Sequence, residues 1–180
     1  MKYLFICAIG PVQEFIATAR RSRDLWFGSW MLSELSKAAA GKLEEISPGC
    51  LVFPSVASSK MLDPGSEFTA PNKVVAILDT QDAGGKIHEV IKTRLHRLWD
   101  DTKVWIEKQG GTVIESTAHD QIEDMTEFYW VCVPFDETSE GCYANARETA
   151  ERALAARKVT RNFSQPGWAN SLLVISKNNP

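Results

Sequence analysis

Residues Tyr3 to Ile9 are apolar without interruption and are bounded by Gly10-Pro11. A run of that length without polar alternation predicts a central strand buried on both faces. Pro11 stands where a helix tolerates its first residue, because the missing N–H costs nothing there. Val12, Phe15, Ile16 and Ala19 then recur at helical spacing and predict one apolar stripe. A second helical pattern begins around Trp26 and carries Met31, Leu32, Leu35 and Ala39, with Gly41 expected to weaken or end it.

Leu51 to Pro54, after Pro48-Gly49, predicts a short strand, and residues 55–71, rich in Ser, Pro, Gly and Asp, predict a loop. Lys73 to Leu78 is β-branched and apolar and predicts another buried strand. Gly85 to Gln109 is the clearest helix: Ile87, Val90, Ile91, Leu95, Leu98, Thr102, Trp105 and Ile106 share one face, and Gly110-Gly111 stops it. Residues 112–126 fit no single pattern. Phe128 to Val133 predicts a strand ended by Pro134. Cys142 to Val159 predicts a last helix, with Ala146, Ala150, Ala153 and Leu154 as its small-residue face and Arg157 extending that stripe. The fold class is α+β. The first six steps read β-α-β-β-α-β, the ferredoxin-like order, with an antiparallel sheet, helices on one face, an added helical hairpin and a C-terminal helix. Such a fold hosts many functions, so function has to be argued from a site.

Composition narrows the classes. The chain has 180 residues, 44% hydrophobic and 24% charged, as expected of a globular domain. Its formal charge of −3 and pI near 5.7 argue against nucleic-acid binding by overall charge, so any such role needs a local patch. No apolar run approaches the roughly 20 residues that span a bilayer, and Tyr3 to Ile9 lacks the flanks of a signal peptide. No membrane partner and a cytoplasmic location are expected. Cys7, Cys50, Cys132 and Cys142 form no C-x-x-C pair and read as buried free thiols.

Several catalytic signatures fail on spacing. Gly84-Gly85-Lys86 has Thr80 and Ile87 where a phosphate loop needs Gly and Ser or Thr. His119-Asp120 lacks companion ligands, since the other histidines, His88 and His96, lie on the long helix. Asp100-Asp101 point about 100° apart on a helix, a poor clamp for one metal.

Gly10 to Trp30, "GPVQEFIATARRSRDLWFGSW", is different. A strand, a Gly-Pro turn and a helix start would aim free backbone N–H groups at one spot, which favours anions. Gln13 falls in the first turn, Arg20, Arg21 and Arg23 can grip phosphate or carboxylate, and Gly28-Ser29 permits close backbone approach with a hydroxyl donor. The competing reading is a helical hairpin with surface ion pairs to Asp24 and tryptophans in the core; spacing alone favours it. A second basic cluster, Arg147, Arg152, Arg157, Lys158 and Arg161, spreads around the last helix and reads as a solvated face, with an RNA- or partner-facing edge as the sharper alternative.

The stretch "IGPVQEFIATARRSRDLWFGSWMLSEL" closely resembles the start of the first palm domain in the large subunit of type III CRISPR–Cas effector complexes, in the Cmr-type (III-B) branch. Its Gly-Pro-Val-Gln-x-Phe-Ile, Ala-Arg-Arg-x-Arg-Asp-Leu-Trp and Gly-Ser-x-x-Leu-Ser elements match in order and spacing. "FPS" at 53–55, "APNKVVAI" at 70–77 and "ARKVTRNFSQPGW" at 156–168 resemble later landmarks. The resemblance implies a palm domain over 1–135, a helical extension over 136–168, and a tail over 169–180 unlike the family. It further implies a polymerase- or cyclase-like subunit that makes cyclic oligoadenylate from ATP in antiviral defence. In that family magnesium or manganese sits at a Gly-Gly-Asp-Asp motif in a second palm, and the partners are other complex subunits with guide RNA and target RNA. This chain lacks Gly-Gly-Asp-Asp and opens at the first palm strand, so His119-Asp120 is not expected to mark the family's nuclease domain. It is expected to be a cut or naturally truncated piece, inert alone, with no catalytic or metal residues of its own. The nucleotide-facing candidates are Gln13, Gly28 and Ser29, then Arg20 and Arg23. The alternative is an interaction module of the same complex that binds no nucleotide, with a homodimer expected if an apolar face is left open.

Overall fold

β1 (Lys2–Gly10) lies inside the sheet with a partner on each side, and the residues from Leu4 to Ile9 are all buried. The computed structural model describes residues 1–113, 118, 121–122 and 125–159. Its strands are β1, β2 (Leu51–Phe53), β3 (Lys73–Leu78) and β4 (Glu127–Phe135), ordered β2-β3-β1-β4. Every neighbouring pair is antiparallel: Phe5 faces Ala76 on one side and Cys132 on the other. Order and pairing are compatible with the predicted ferredoxin-like arrangement with extra helices.

The helices are α1 (Val12–Thr18), α2 (Ser22–Ile46), α3 (Ala83–Lys108) and α4 (Cys142–Val159). Alternate residues of β1 serve two cores. Phe5, Cys7 and Ile9, with Val74, Ala76 and Leu78, pack against Met31, Leu35 and Leu43 of α2 and Ile87, Ile91 and Leu95 of α3. Leu4, Ile6 and Ala8 pack against Ala146, Ala150 and Leu154 of α4. Helices therefore cover both faces, not one. The unbroken apolar run of β1 demands this, because half of it would otherwise face water. The small residues of α4 let that helix lie close to the sheet, although Ala153 points outward. Among the described residues no helix is long and apolar enough to cross a membrane.

Several element boundaries differ from expectation. α2 starts at Ser22 rather than near Trp26 and runs through Gly41. The cost of a mid-helix glycine, about 1 kcal/mol, is outweighed by full burial of Ala39, Ala40 and Leu43 around it. A 3-10 turn at Ser59–Leu62 passes there, with Leu62 Cβ 3.9 Å from where a Gly41 Cβ would stand. α3 starts at Ala83, and Gly110 ends it with φ +78°. β4 continues through Pro134 to Phe135; it is an edge strand, where a missing N–H is tolerated. Ile16, at 59% exposed, and Trp105, at 63%, fall outside the core that their spacing predicted for them. The four cysteines are free thiols, and burial pushes Cys7 up to about 12. His119-Asp120, Arg161 and the tail from 169 lie outside the described residues.

Gly84 and Trp130 lock α3 to β4. A Cβ on Gly84 would stand 1.9 Å from the Trp130 Nε1. Trp130 stacks on Phe128 at 5.2 Å, and His88 stacks on Phe128 at 5.5 Å. Arg157, from the opposite layer, places its guanidinium 5.3 Å from the Trp130 ring. Gly84 of "GGK" thus has a packing role.

A polar clamp holds the 55–71 loop to α2. Glu34 and Lys37, 1% and 2% exposed, pair with each other, and Glu34 also pairs with Arg94 of α3. Glu34 accepts from the Gly65 N–H at 3.1 Å, Lys37 donates to the Ser66 carbonyl at 3.1 Å, and the Ser33 hydroxyl accepts from the Ala70 N–H at 2.9 Å. Burial pushes the Glu34 carboxyl up, but hydrogen bonds from Lys37, Arg94 and Gly65 outweigh it and hold it below the usual value of 4.5.

Two expectations follow. Gly84→Ala forces a methyl into the indole and should cost about 1–3 kcal/mol; thermal unfolding measures it, and Trp130→Leu in the same chain should recover part of the loss. A carboxyl whose folded pKa is depressed stabilises fully above its unfolded value and loses that contribution as pH falls through the folded one. The Glu34 contribution should therefore fade as pH drops below about 4.5. Glu34→Gln leaves Lys37 charged and buried, and should cost about 3–5 kcal/mol at pH 7 while flattening that acid dependence; urea unfolding at pH 7 and pH 4 is the check.

Candidate functional site

The β1 strand delivers the chain to Gly10-Pro11, α1 follows for seven residues, and Ala19-Arg20-Arg21 turns it into α2. Asp24, in the first turn of α2, folds its carboxylate back over the turn. One oxygen accepts from the Arg20 N–H at 3.2 Å and the Arg21 N–H at 3.0 Å. An acidic group there also suits the positive end of the helix dipole. This cap explains the early start of α2.

The cap has an electrostatic consequence. The carboxylate oxygen nearest the backbone is already occupied, and the other lies 3.7 Å from Arg23 Nε, with both side chains well exposed. Such an exposed contact is weak. Arg20, Arg21 and Arg23 are exposed and Asp24 is the acid beside them in the chain, so residues 19–24 are locally cationic on an acidic protein.

Arg20, Arg23 and Gly28 line one cavity of about 560 Å³, together with Thr18, Asp24, Trp26 and Phe27. Gly28 is buried and is one of the lining residues. Ser29 is exposed and lies outside this lining. Gln13 lines a separate cavity of about 350 Å³ with Gly10, Asn72, Glu127, Tyr129 and Lys158. There the charges are mixed, since Glu127 Oε2 is 3.5 Å from where a Gly10 Cβ would stand. The structure therefore brings Arg20, Arg23 and Gly28 to one cavity, with Ser29 exposed next to Gly28, and puts Gln13 in another cavity.

The aromatic wall was not anticipated. Trp26 is 68% exposed and Phe27 48%. A signal existed: at 100° per residue Trp26 falls about 160° from Gly28, on the side opposite the buried Gly28, Met31, Leu32, Leu35 and Ala39. Phe27 continues into an adjoining cavity of about 280 Å³ with Trp30, Leu98 and Trp105. Phe27 and Trp30 are 5.8 Å apart, ring to ring.

Other features are self-contained. A cavity of about 680 Å³ between α2, α3 and the 3-10 turn holds Glu34, Lys37, Arg94, Lys42, Glu44 and Glu45. Lys42 pairs with Glu45 at 2.6 Å, and Glu44 accepts from the Gly49 N–H at 2.8 Å, so most of its charge is matched within the fold. Asp100 and Asp101 are exposed, as are Arg147, Arg152, Arg157 and Lys158. Among the described residues no three His, Cys, Asp or Glu side chains gather as a metal site.

The family described as "CRISPR-associated protein Cmr2, N-terminal" matches residues 4–103. The CRISPR system Cmr subunit Cmr2 of Pyrococcus furiosus is 28% identical over 153 residues, which cover 73% of this chain and 18% of that protein. Among solved structures, the Csm1–Csm4 cassette in complex with cA3 is similar with a TM-score of 0.54 at 16% identity, over 98% of this chain and 21% of that one. The apo Csm1–Csm4 cassette gives 0.52 at 17% identity, over 89% and 19%. At those identities the structural likeness is one of fold. The chain spans about a fifth of the length of these relatives. With more than half of its residues matched, the chain belongs to the Cmr2 N-terminal family, the N-terminal region of a type III CRISPR large subunit.

Proposed function

We propose that this chain is the first palm of a type III-B large subunit, and that it forms one wall of an ATP pocket for cyclic oligoadenylate synthesis in antiviral defence. The observation that carries this reading is the cavity at the α1–α2 turn. Arg20, Arg23 and Gly28 line it, and one carboxylate oxygen of Asp24, the acid in that lining, accepts from two backbone N–H groups. Guanidiniums in that setting suit the oxygens of a triphosphate. Relatives of the same fold are described in complex with cA3 and with pppApApA.

In this reading the chain binds and orients but does not catalyse. Two-metal phosphoryl transfer needs carboxylates that hold both ions, and magnesium or manganese would belong to the second palm. Other subunits, guide RNA and target RNA complete the working assembly. In an assembled complex whose large subunit carries this region, Arg20→Gln with Arg23→Gln should lower cyclic oligoadenylate synthesis from ATP at least ten-fold without loss of assembly. Gln13→Ala, which alters a different cavity, should have a smaller effect. Unchanged synthesis in the double-arginine variant would remove these residues from the pocket.

One observation favours a second reading, an interaction module that binds no nucleotide. Trp26, Phe27 and Trp105 expose apolar surface along α2 and α3, and such patches mark protein contacts. This reading expects a dimer in size-exclusion chromatography that is indifferent to ATP and is broken by Trp105→Asp. A monomer that binds ATP sides with the first reading.

A further inference from the structure

We infer that Trp26 is the base-stacking residue of the α1–α2 cavity: a nucleotide lies with its phosphates on Arg20 and Arg23 and its base against the Trp26 indole. This rests on the nucleotide reading above and adds the residue that recognises the aromatic part of the ligand.

The first observation is exposure without a packing reason. A tryptophan is among the costliest side chains to leave in water, yet Trp26 stays 68% exposed within a regular helix. The helix is not short of apolar residues: Met31, Leu32, Leu35, Ala39 and Leu43 supply its core contacts. Trp26 contributes nothing to that core and stands on the opposite side of α2.

The second observation is what stands beside it. Arg23 and Trp26 are three positions apart on α2, so they are surface neighbours with Cβ atoms about 5–6 Å apart. The turn, held by Asp24, brings Arg20 to the same cavity. Phe27 closes the side toward Trp30. An apolar partner protein would match the indole but leave the arginines facing an unlike surface, and a free phosphate would match the arginines alone. A nucleotide has both a flat π-face and an anionic end, and aromatic platforms beside cationic groups are the general solution for holding one.

Charge complementarity separates the roles. The arginines act on the triphosphate whatever the base. The indole acts on the base whatever the number of phosphates. Trp26 is in this sense a positioning residue: it fixes where the sugar lies relative to the arginine-held phosphates.

The experiment uses the 180-residue chain labelled with nitrogen-15, titrated separately with ATP, adenosine and inorganic tripolyphosphate. The Trp26 indole N–H signal is assigned by its loss in Trp26→Phe. It should move with ATP and with adenosine, and stay in place with tripolyphosphate. Trp26→Ala should weaken ATP about ten-fold or more, in line with the usual contribution of one stacked base, and leave tripolyphosphate affinity unchanged. Trp26→Phe, which keeps a ring, should restore most of the loss. Arg20→Gln with Arg23→Gln should weaken ATP and tripolyphosphate together. Thermal unfolding of each variant reads any loss of fold, which an exposed side chain should not cause. If Trp26→Ala binds ATP like the parent while the double-arginine variant does not, the stacking role is overturned and the pocket reading stands. If neither the parent chain nor an assembled complex carrying it binds ATP through Arg20 and Arg23, both fall.

Discussion

β1 is buried along its whole middle, and the rest of the fold is arranged around that requirement. A strand whose residues are apolar on both faces needs a partner on each edge and a layer on each side. β3 and β4 supply the edges. α2 and α3 cover one face, and α4 covers the other. Because β1 leads directly into Gly10-Pro11, its anchoring also decides where the α1–α2 turn stands. The turn is thus delivered by the most constrained element in the molecule.

The second constraint is polar. Glu34, Lys37 and Arg94 sit where an apolar contact would ordinarily serve, and they tie α2 to α3 and to the 55–71 loop. Breaking one partner of such a set leaves a buried charge, so the arrangement is intolerant of single changes. It holds the middle of α2 rigid. The N-terminal turns of the same helix are exposed through Phe27, and their position depends on the Asp24 cap rather than on packing. A stiff helix with an open, cationic and aromatic end is a suitable wall for a ligand that arrives between this region and the rest of a larger protein. Family membership fits that picture, since the relatives are about five times longer and this region would meet other parts of them.

Much of the candidate site was legible in the residues. The order of the Gly-Pro, Arg-rich and Gly-Ser elements marked the α1–α2 region, and Arg20, Arg23 and Gly28 do meet at one cavity. Gln13 belongs to the same stretch of sequence but lines a different cavity, because it sits at the near end of α1. The competing hairpin reading, favoured by spacing alone, puts the tryptophans in the core, and Trp26 is instead 68% exposed. On α2 it stands about 160° from Gly28, away from the buried Gly28, Met31 and Leu35.

The sequence by itself determined the elements and their order, since period-2 and period-3.6 apolar patterns respond to burial within a few residues of chain. It also determined the family, through a run of specific motifs. The covering of the second sheet face by α4, the passage of α2 through Gly41 and the contact of Gly84 with Trp130 were decided by tertiary structure. So were the loop clamp at Glu34 and the division of the site residues between cavities. Each depends on which residues far apart in the chain come within a few ångström, and local pattern carries no record of that distance.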